Sequence, residues 1–212
     1  MTLCLATIYL ADHMELLLIR HALPVRIEGK EGTAADPELA DLGHEQANAL
    51  ADYLAGEKID KLYVSPLRRA VQTAEPVSAR LSVPMVVDDE LAEFDRHSHF
   101  YIPIEELKQE KDERWDDMIA GRWGVDGEVD PQTFKAVVVE AVERVIAANK
   151  GKTVAIVCHG GVINAYFAQL LGLDFPMFFE PAYTSISRVL ASSAGQRQVK
   201  SINEHAHVRS MI

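Results

Sequence analysis

Two short apolar runs, each stopping at a histidine, constrain this chain more than any other feature. The first is Glu15-Leu16-Leu17-Leu18-Ile19, which ends in Arg20-His21. The second is Thr153-Val154-Ala155-Ile156-Val157, which ends in Cys158-His159-Gly160-Gly161. Runs of this length and apolarity read as buried strands. Between and after them strand patterns alternate with long helical ones. That predicts an α/β three-layer sandwich, with a mostly parallel central sheet and helices on both faces. In such sheets ligands sit outside the carboxyl ends of the strands. Two cationic or titratable side chains at a strand end are therefore candidates for chemistry, an arginine as a planar anion fork and a histidine as base or nucleophile.

The remaining pattern fills in the elements. Helices are expected over residues 42–55, 131–149 and 162–171, and a helical patch over 104–120. Strands are expected over 15–20, 61–64, 85–87, 153–157, 185–191 and 198–202. Ser65-Pro66 is expected to open another helix, with Ser65 as N-cap and the proline in the first turn, running to Leu81 with Pro76 inside it. Pro24, Gly29, Gly32 and Pro37 punctuate a loop over residues 22–36. Residues 95–130 are irregular and polar and are expected as a lid-like insertion in one domain over 14–212. Residues 1–13 are apolar but too short to span a bilayer. With Met14 directly before the first convincing strand, they read as a leader or, alternatively, an extra edge strand.

Composition narrows the partners. The 212 residues are 48% hydrophobic and 25% charged, enough for a sizeable core without disulfides. The two cysteines, Cys4 and Cys158, lie in apolar runs, which fits reduced thiols and a cytoplasmic location. A net charge of −11 disfavours nucleic acid and anionic membranes. An anionic ligand would need a locally basic pocket.

Four segments would bring polar groups to the strand ends. Besides Arg20-His21 and His159-Gly160-Gly161, the run Ser65-Pro66-Leu67-Arg68-Arg69-Ala70-Val71-Gln72-Thr73-Ala74 puts two arginines at a helix start, where the dipole opposes them unless an anion is present. Leu91-Ala92-Glu93-Phe94 sets a carboxylate among apolar neighbours, which raises a carboxyl pKa. The two glycines after His159 would let a backbone approach a ligand, with the following helix pointing its N–H groups at it. The set suits metal-free phosphoryl transfer. A nucleophile attacks phosphorus, fixed cations hold the oxygens and an acid protonates the departing oxygen. Neither a G-x-x-x-x-G-K-[ST] loop nor a His-Glu-x-x-His or Cys-x-x-Cys spacing occurs.

With these motifs in order, the chain resembles the histidine phosphatase superfamily, which includes the cofactor-dependent phosphoglycerate mutases. Arg20-His21-Ala22 matches that family's Arg-His-Gly, and Ser65 to Ala74 matches its Ser-Pro-Leu-x-Arg-Ala-x-Gln-Thr-Ala. Leu91-Ala92-Glu93 matches its Leu-x-Glu, and His159-Gly160-Gly161 its second His-Gly-Gly. Leu39 to Ala47 echoes a further Leu-[Ser/Thr]-x-x-Gly-x-x-Gln-Ala pattern. The resemblance implies that His21 attacks phosphorus and becomes a phosphohistidine. Arg20, Arg69 and His159 would clamp the phosphoryl oxygens, and Glu93 would protonate the leaving alcohol and then activate water. It implies no cofactor, a small phosphorylated substrate as partner and, as an open question, a homodimer. His21 must then be unprotonated at the attacking nitrogen while Glu93 carries a proton.

The chain departs from the family at several places. Ala22 stands for the usual glycine, and Arg26-Ile27 stands where an asparagine often lies. Asp95-Arg96-His97-Ser98-His99-Phe100 replaces the phosphatase branch's Gly-x-Trp-Glu-Gly, and the mutase branch's Arg-His-Tyr-Gly after the acid is missing. Hydrolysis is therefore favoured over mutase chemistry, with a non-catalytic phospho-ligand module as the weakest alternative. Bland readings stand beside the sharp ones. Asp88, Asp89 or Asp95 could be merely solvated neighbours of Glu93, and Arg68 is expected to point outward onto an acidic partner. Cys158 is expected to point into the core. His97/His99 and His205/His207 have metal-like spacing but read as solvated pairs, although Arg96, His97 and His99 could meet a second anionic group. Trp115 and Trp123 read as packing residues.

Overall fold

The structure, a computed structural model, describes residues 13–29, 33–123, 129–174 and 177–211. The expected leader falls, except for His13, outside the described residues. Six strands form one mixed sheet: β1 (His13–Arg20), β2 (Lys61–Val64), β3 (Met85–Val87), β4 (Thr153–Cys158), β5 (Ile186–Ser192) and β6 (Arg197–Glu204). Their order is β3-β2-β4-β1-β5-β6. The first four are parallel, and β5 and β6 complete one side antiparallel.

The apolar runs are continuous because both faces of each strand are covered. Leu16 and Leu18 pack with Val142, Val162 and Phe167, from α5 (Pro131–Ala148) and α6 (Gly160–Leu171). Leu17 and Ile19 pack on the other face with Leu50, Leu54, Ala70 and Val77, from α1 (Asp41–Leu54) and α2 (Arg68–Leu81). Side chains alternate across a strand, so β1 serves both layers at once. Each such buried leucine contributes roughly 1.5–3 kcal/mol. The expected three-layer arrangement is the one observed. No helix among the described residues is long and apolar enough to cross a membrane.

Register brings the site together. Arg20 lies beside Cys158, Val64 beside Val157, and Val87 beside Val64, so the four parallel strands end level. The chain leaves β1 toward β2 on one side and leaves β4 toward β5 on the other. A crevice opens where such exits diverge.

Two expectations about helices are corrected. Residues 65 and 66 precede α2 rather than start it: the N-cap is Leu67, with no side-chain cap. Ser65 Oγ instead meets His159 Nε2 at 2.6 Å and lies 3.3 Å from the Leu67 N–H. The helical patch is two helices, α3 (Ile104–Glu110) and α4 (Glu113–Ile119). Lys111 turns left-handed between them at φ 53°, and the Asp112 side chain accepts from Arg114 N to begin the second. Elsewhere the expected elements hold to within a few residues.

Candidate active site

His21 follows β1 directly and is buried. Its Nδ1 lies 2.8 Å from the Ala22 carbonyl oxygen. A carbonyl only accepts, so Nδ1 carries the hydrogen and Nε2 presents its lone pair. Burial first, then the Arg69 and Arg20 charges, hold this imidazole well below its ordinary pKa. It is a neutral base with a defined free nitrogen.

The backbone after His21 is held from beneath. The Ala22 N–H donates to Thr73 Oγ1 at 2.9 Å, and the Leu23 N–H to Gln46 Oε1 at 2.9 Å. Gln72 Oε1 accepts from Leu39 N at 2.8 Å. A Cβ on Gly43 would stand 2.0 Å from the Leu23 oxygen. Gly43, Gln46, Gln72 and Thr73 are thus motif residues that position the loop after His21 without lining the cavity.

Arg20 and Arg69 are desolvated, at 5% and 1% exposure. Arg20 Nη1 donates to the Pro181 carbonyl at 2.6 Å and lies 3.7 Å from Glu105, with its guanidinium 3.9 Å from the Tyr183 ring centroid. Arg69 Nη2 donates to Asp95 Oδ1 at 2.8 Å, with its guanidinium 4.6 Å from the Tyr101 ring centroid. Both therefore sit on aromatic faces that stabilise cations without neutralising them. His159, fully buried, lies behind the cavity wall with its ring 5.1 Å from that of His21. Burial and the neighbouring Arg69 and His21 also keep it well below the usual histidine pKa.

Several buried polar nitrogens here are left over. Arg20 Nε, Arg69 Nε, Arg69 Nη1 and His159 Nδ1 have no hydrogen-bond partner among the described residues. An unmade buried hydrogen bond costs about 1–3 kcal/mol, and more for a charged group. The three arginine N–H groups, on two residues that line one cavity, leave an unfilled demand for acceptor oxygens.

Glu93 follows the 3₁₀ turn Asp89–Leu91. Its Oε2 accepts from Gly161 N at 2.8 Å and its Oε1 from Phe94 N at 3.1 Å. Burial, then the adjacent Asp95 carboxylate, push its pKa up to about 7. This corrects one expectation: the Gly161 N–H at the start of α6 serves Glu93 rather than an incoming ligand. Gly161 is required for that contact, since a Cβ there would lie 2.2 Å from Glu93 Oε1.

Arg20, His21, Arg69, Glu93 and both glycines line one cavity, with His159 just behind it. Trp115 and Trp123 also line it, whereas most other nominees lie apart from it. Arg96, His97 and His99 do not line it, and Arg96 Nη1 donates to the Asp89 carbonyl. Arg26 is engaged by Glu28, Glu106 and Glu110, which ties the loop after β1 to α3. Arg68 faces outward onto Glu38, as expected. Cys158 belongs to the core, and burial raises its thiol pKa. His207 stacks on Tyr53 and meets Thr184 Oγ1 at 3.2 Å. Trp123 stacks on Phe94 with centroids 4.4 Å apart. Among the described residues no group of three or more His, Cys, Asp or Glu is placed to hold a metal ion.

Sequence reading missed Tyr101 and Tyr183, Asp95 as the partner of Arg69, and the cavity residues Lys108, Arg114 and Arg122. Tyr101 and Tyr183 carry no motif. Asp95 was visible as a departure from the family pattern and as a solvated neighbour of Glu93, not as the partner of Arg69.

A neutral histidine, two buried arginines and a carboxyl with a raised pKa meet on one crevice, and residues 16–205 match the model of the histidine phosphatase superfamily (branch 1). The chain belongs to that family, and it is a phosphatase. Phosphoserine phosphatase 1 of Hydrogenobacter thermophilus is 28% identical over 173 residues, covering 78% of this chain and 80% of its own. Glucosyl-3-phosphoglycerate phosphatase of Mycolicibacterium vanbaalenii is 33% identical over 151 residues, 65% of each chain. Phosphoserine phosphatase of Entamoeba histolytica, solved with phosphoserine, shares the fold at a TM-score of 0.72 and 23% identity, over 92% of this chain and 99% of that one.

Proposed function

We propose that this phosphatase hydrolyses a small phosphorylated metabolite in the cytoplasm through a phosphohistidine at His21, without a metal. The three unpartnered N–H groups of Arg20 and Arg69, with the unpartnered His159 Nδ1 beside them, carry this reading, because a phosphoryl group supplies acceptors for the arginine donors. The names of the relatives, which act on phosphoserine and on glucosyl-3-phosphoglycerate, support the substrate class.

The first step forms a bond from His21 Nε2 to phosphorus as the ester P–O bond breaks. The Ala22 carbonyl holds the Nδ1 hydrogen and so keeps Nε2 free. Arg20 and Arg69 hold the equatorial oxygens through charge-assisted hydrogen bonds, and His159 adds a donor when its hydrogen is on Nδ1. The departing alkoxide takes the Glu93 proton and leaves as an alcohol. In the second step the Glu93 carboxylate removes a proton from water as the water oxygen attacks phosphorus. The P–N bond breaks, His21 recovers its lone pair and inorganic phosphate departs. A carboxyl with a pKa of about 7 can give and take that proton near neutral pH. The arginines and Glu93 perform the charge and proton tasks that a metal would otherwise perform.

A screen of phosphomonoesters should show phosphate release that is insensitive to chelator. Alkaline quenching should trap an acid-labile, base-stable phosphoprotein in the wild type and not in His21→Ala. Phosphate release by His21→Ala at the wild-type rate would refute the assignment.

A further inference from the structure

The phosphate end fills only part of the cavity, whose volume is about 430 Å³, a size that encloses drug-sized ligands. Beyond Arg69 and Glu93 its described wall combines apolar side chains with paired charges. Phe94 stacks with Trp123, Leu107 and Met118 line the wall, and Phe178 and Phe179 stand opposite with ring centroids 4.9 Å apart.

Three cations line this outer part, and each already has a carboxylate. Lys108 pairs with Glu180 and lies 4.5 Å from the Trp115 ring centroid. Arg114 is gripped by Asp112, its Nε donating to Oδ1 at 2.7 Å, and lies 4.8 Å from the Phe100 centroid. Arg122 donates through both Nε and Nη2 to Asp117, the former at 2.9 Å. A substrate carboxylate placed here would exchange one carboxylate for another, with no net gain in charge pairing. An apolar body would remove its own surface and the aromatic wall from water, a gain proportional to area. Each outer cation meets a carboxylate, whereas Arg20 Nε and Arg69 Nε and Nη1 at the phosphate end are buried without a partner among the described residues.

Resting on the phosphatase reading above, we propose that the preferred substrates are phosphomonoesters of flat, apolar alcohols, with no second anion near the ester. The site then selects against phosphorylated hydroxy acids.

Benzyl phosphate, 2-naphthylmethyl phosphate, O-phosphoserine and 3-phosphoglycerate all release a primary alcohol, so their kcat/KM values compare binding more than leaving-group chemistry. The two arylmethyl esters should exceed the two acids by tenfold or more, chiefly through KM. Phe178, 38% exposed, can be changed with little cost to the core. Phe178→Ser should narrow the arylmethyl-to-acid ratio at least fivefold while its circular dichroism stays that of the wild type. Hydrolysis of either acid as fast as the arylmethyl esters overturns the substrate proposal and leaves the phosphatase standing. An unchanged ratio in Phe178→Ser also overturns it. Failure to release phosphate from any of the four, with no phosphoprotein trapped, brings down the phosphatase reading itself.

Discussion

Asp95 touches both halves of the mechanism, so replacing it with asparagine tests them together. Its carboxylate accepts from Arg69 Nη2 at 2.8 Å, and it is the second cause, after burial, of the raised Glu93 pKa. Asparagine keeps an oxygen to accept the Arg69 hydrogen bond and removes only the charge. Two effects should follow, with definite signs. In the proposed mechanism Glu93 donates a proton, so kcat/KM falls as pH rises through its pKa of about 7. Without the neighbouring anion the Glu93 carboxylate forms more readily, and the alkaline limb moves to lower pH. A shift of about one pH unit corresponds to ~1.4 kcal/mol. Second, Asp95 holds the arginine that a phosphoryl group must reach, and its charge repels a dianion. At an effective dielectric of about 20, two unit charges about 6 Å apart interact by ~3 kcal/mol. Asp95 is 24% exposed, so water screens part of that. A net gain of about 1 kcal/mol is expected, a KM roughly fivefold lower below pH 6. The assay is kcat and KM for benzyl phosphate in half-unit steps from pH 5 to 8.5. An alkaline limb that stays within about 0.3 unit of the wild type refutes the coupling to Glu93. A KM that stays put or rises below pH 6 refutes the role of Arg69 in holding phosphate.

Two further outcomes follow from the same geometry. Gly161→Ala places a Cβ 2.2 Å from Glu93 Oε1 and 3.0 Å from Phe94 Cδ1, so the acid must leave its position. Turnover of benzyl phosphate should fall about 100-fold, the scale of acid–base catalysis. Hydrolysis of 4-nitrophenyl phosphate, whose leaving group needs no proton, should fall far less, and equal losses would contradict the role of Glu93. The buried titratable groups also govern stability. His21 and His159 have folded pKa values lowered well below 6.5. Their contribution is intact above pH 6.5 and is lost as pH falls, because the unfolded chain binds protons first. Glu93, raised from 4.5 to about 7, acts oppositely: its contribution is complete below pH 4.5 and lost as pH rises through 7. Urea denaturation of Glu93→Gln should therefore show stability falling more steeply than the wild type between pH 6.5 and 5, by up to ~1.4 kcal/mol per pH unit. Parallel curves would contradict a protonated Glu93 in the folded state.

Much of this was legible in the chain because strand ends and motifs are local. Continuous apolarity at Leu16–Ile19 and Val154–Val157 implied strands covered on both faces, and the alternation with helices implied the layers. Arg20, His21, Arg69, Glu93 and His159 were legible as candidates from their positions at strand ends and helix starts, and the fold brings them to one crevice. Other features depended on residues far apart in sequence. The freedom of His21 Nε2 follows from a carbonyl orientation, and the use of Gly161 for Glu93 joins residues 68 positions apart. The neutral outer wall arises because Lys108 meets Glu180 across 72 positions, while Arg114 and Arg122 turn back onto nearby aspartates. Sequence order shows which charges exist, but folding decides which of them are cancelled. By itself the sequence determined a layered α/β sheet with histidines at its strand ends, since hydrophobic period and strand-end chemistry are written locally. Tertiary structure alone decided which donors remain unpaired, which carboxyl keeps its proton and which wall charges are paired, because desolvation and charge pairing depend on neighbours in space.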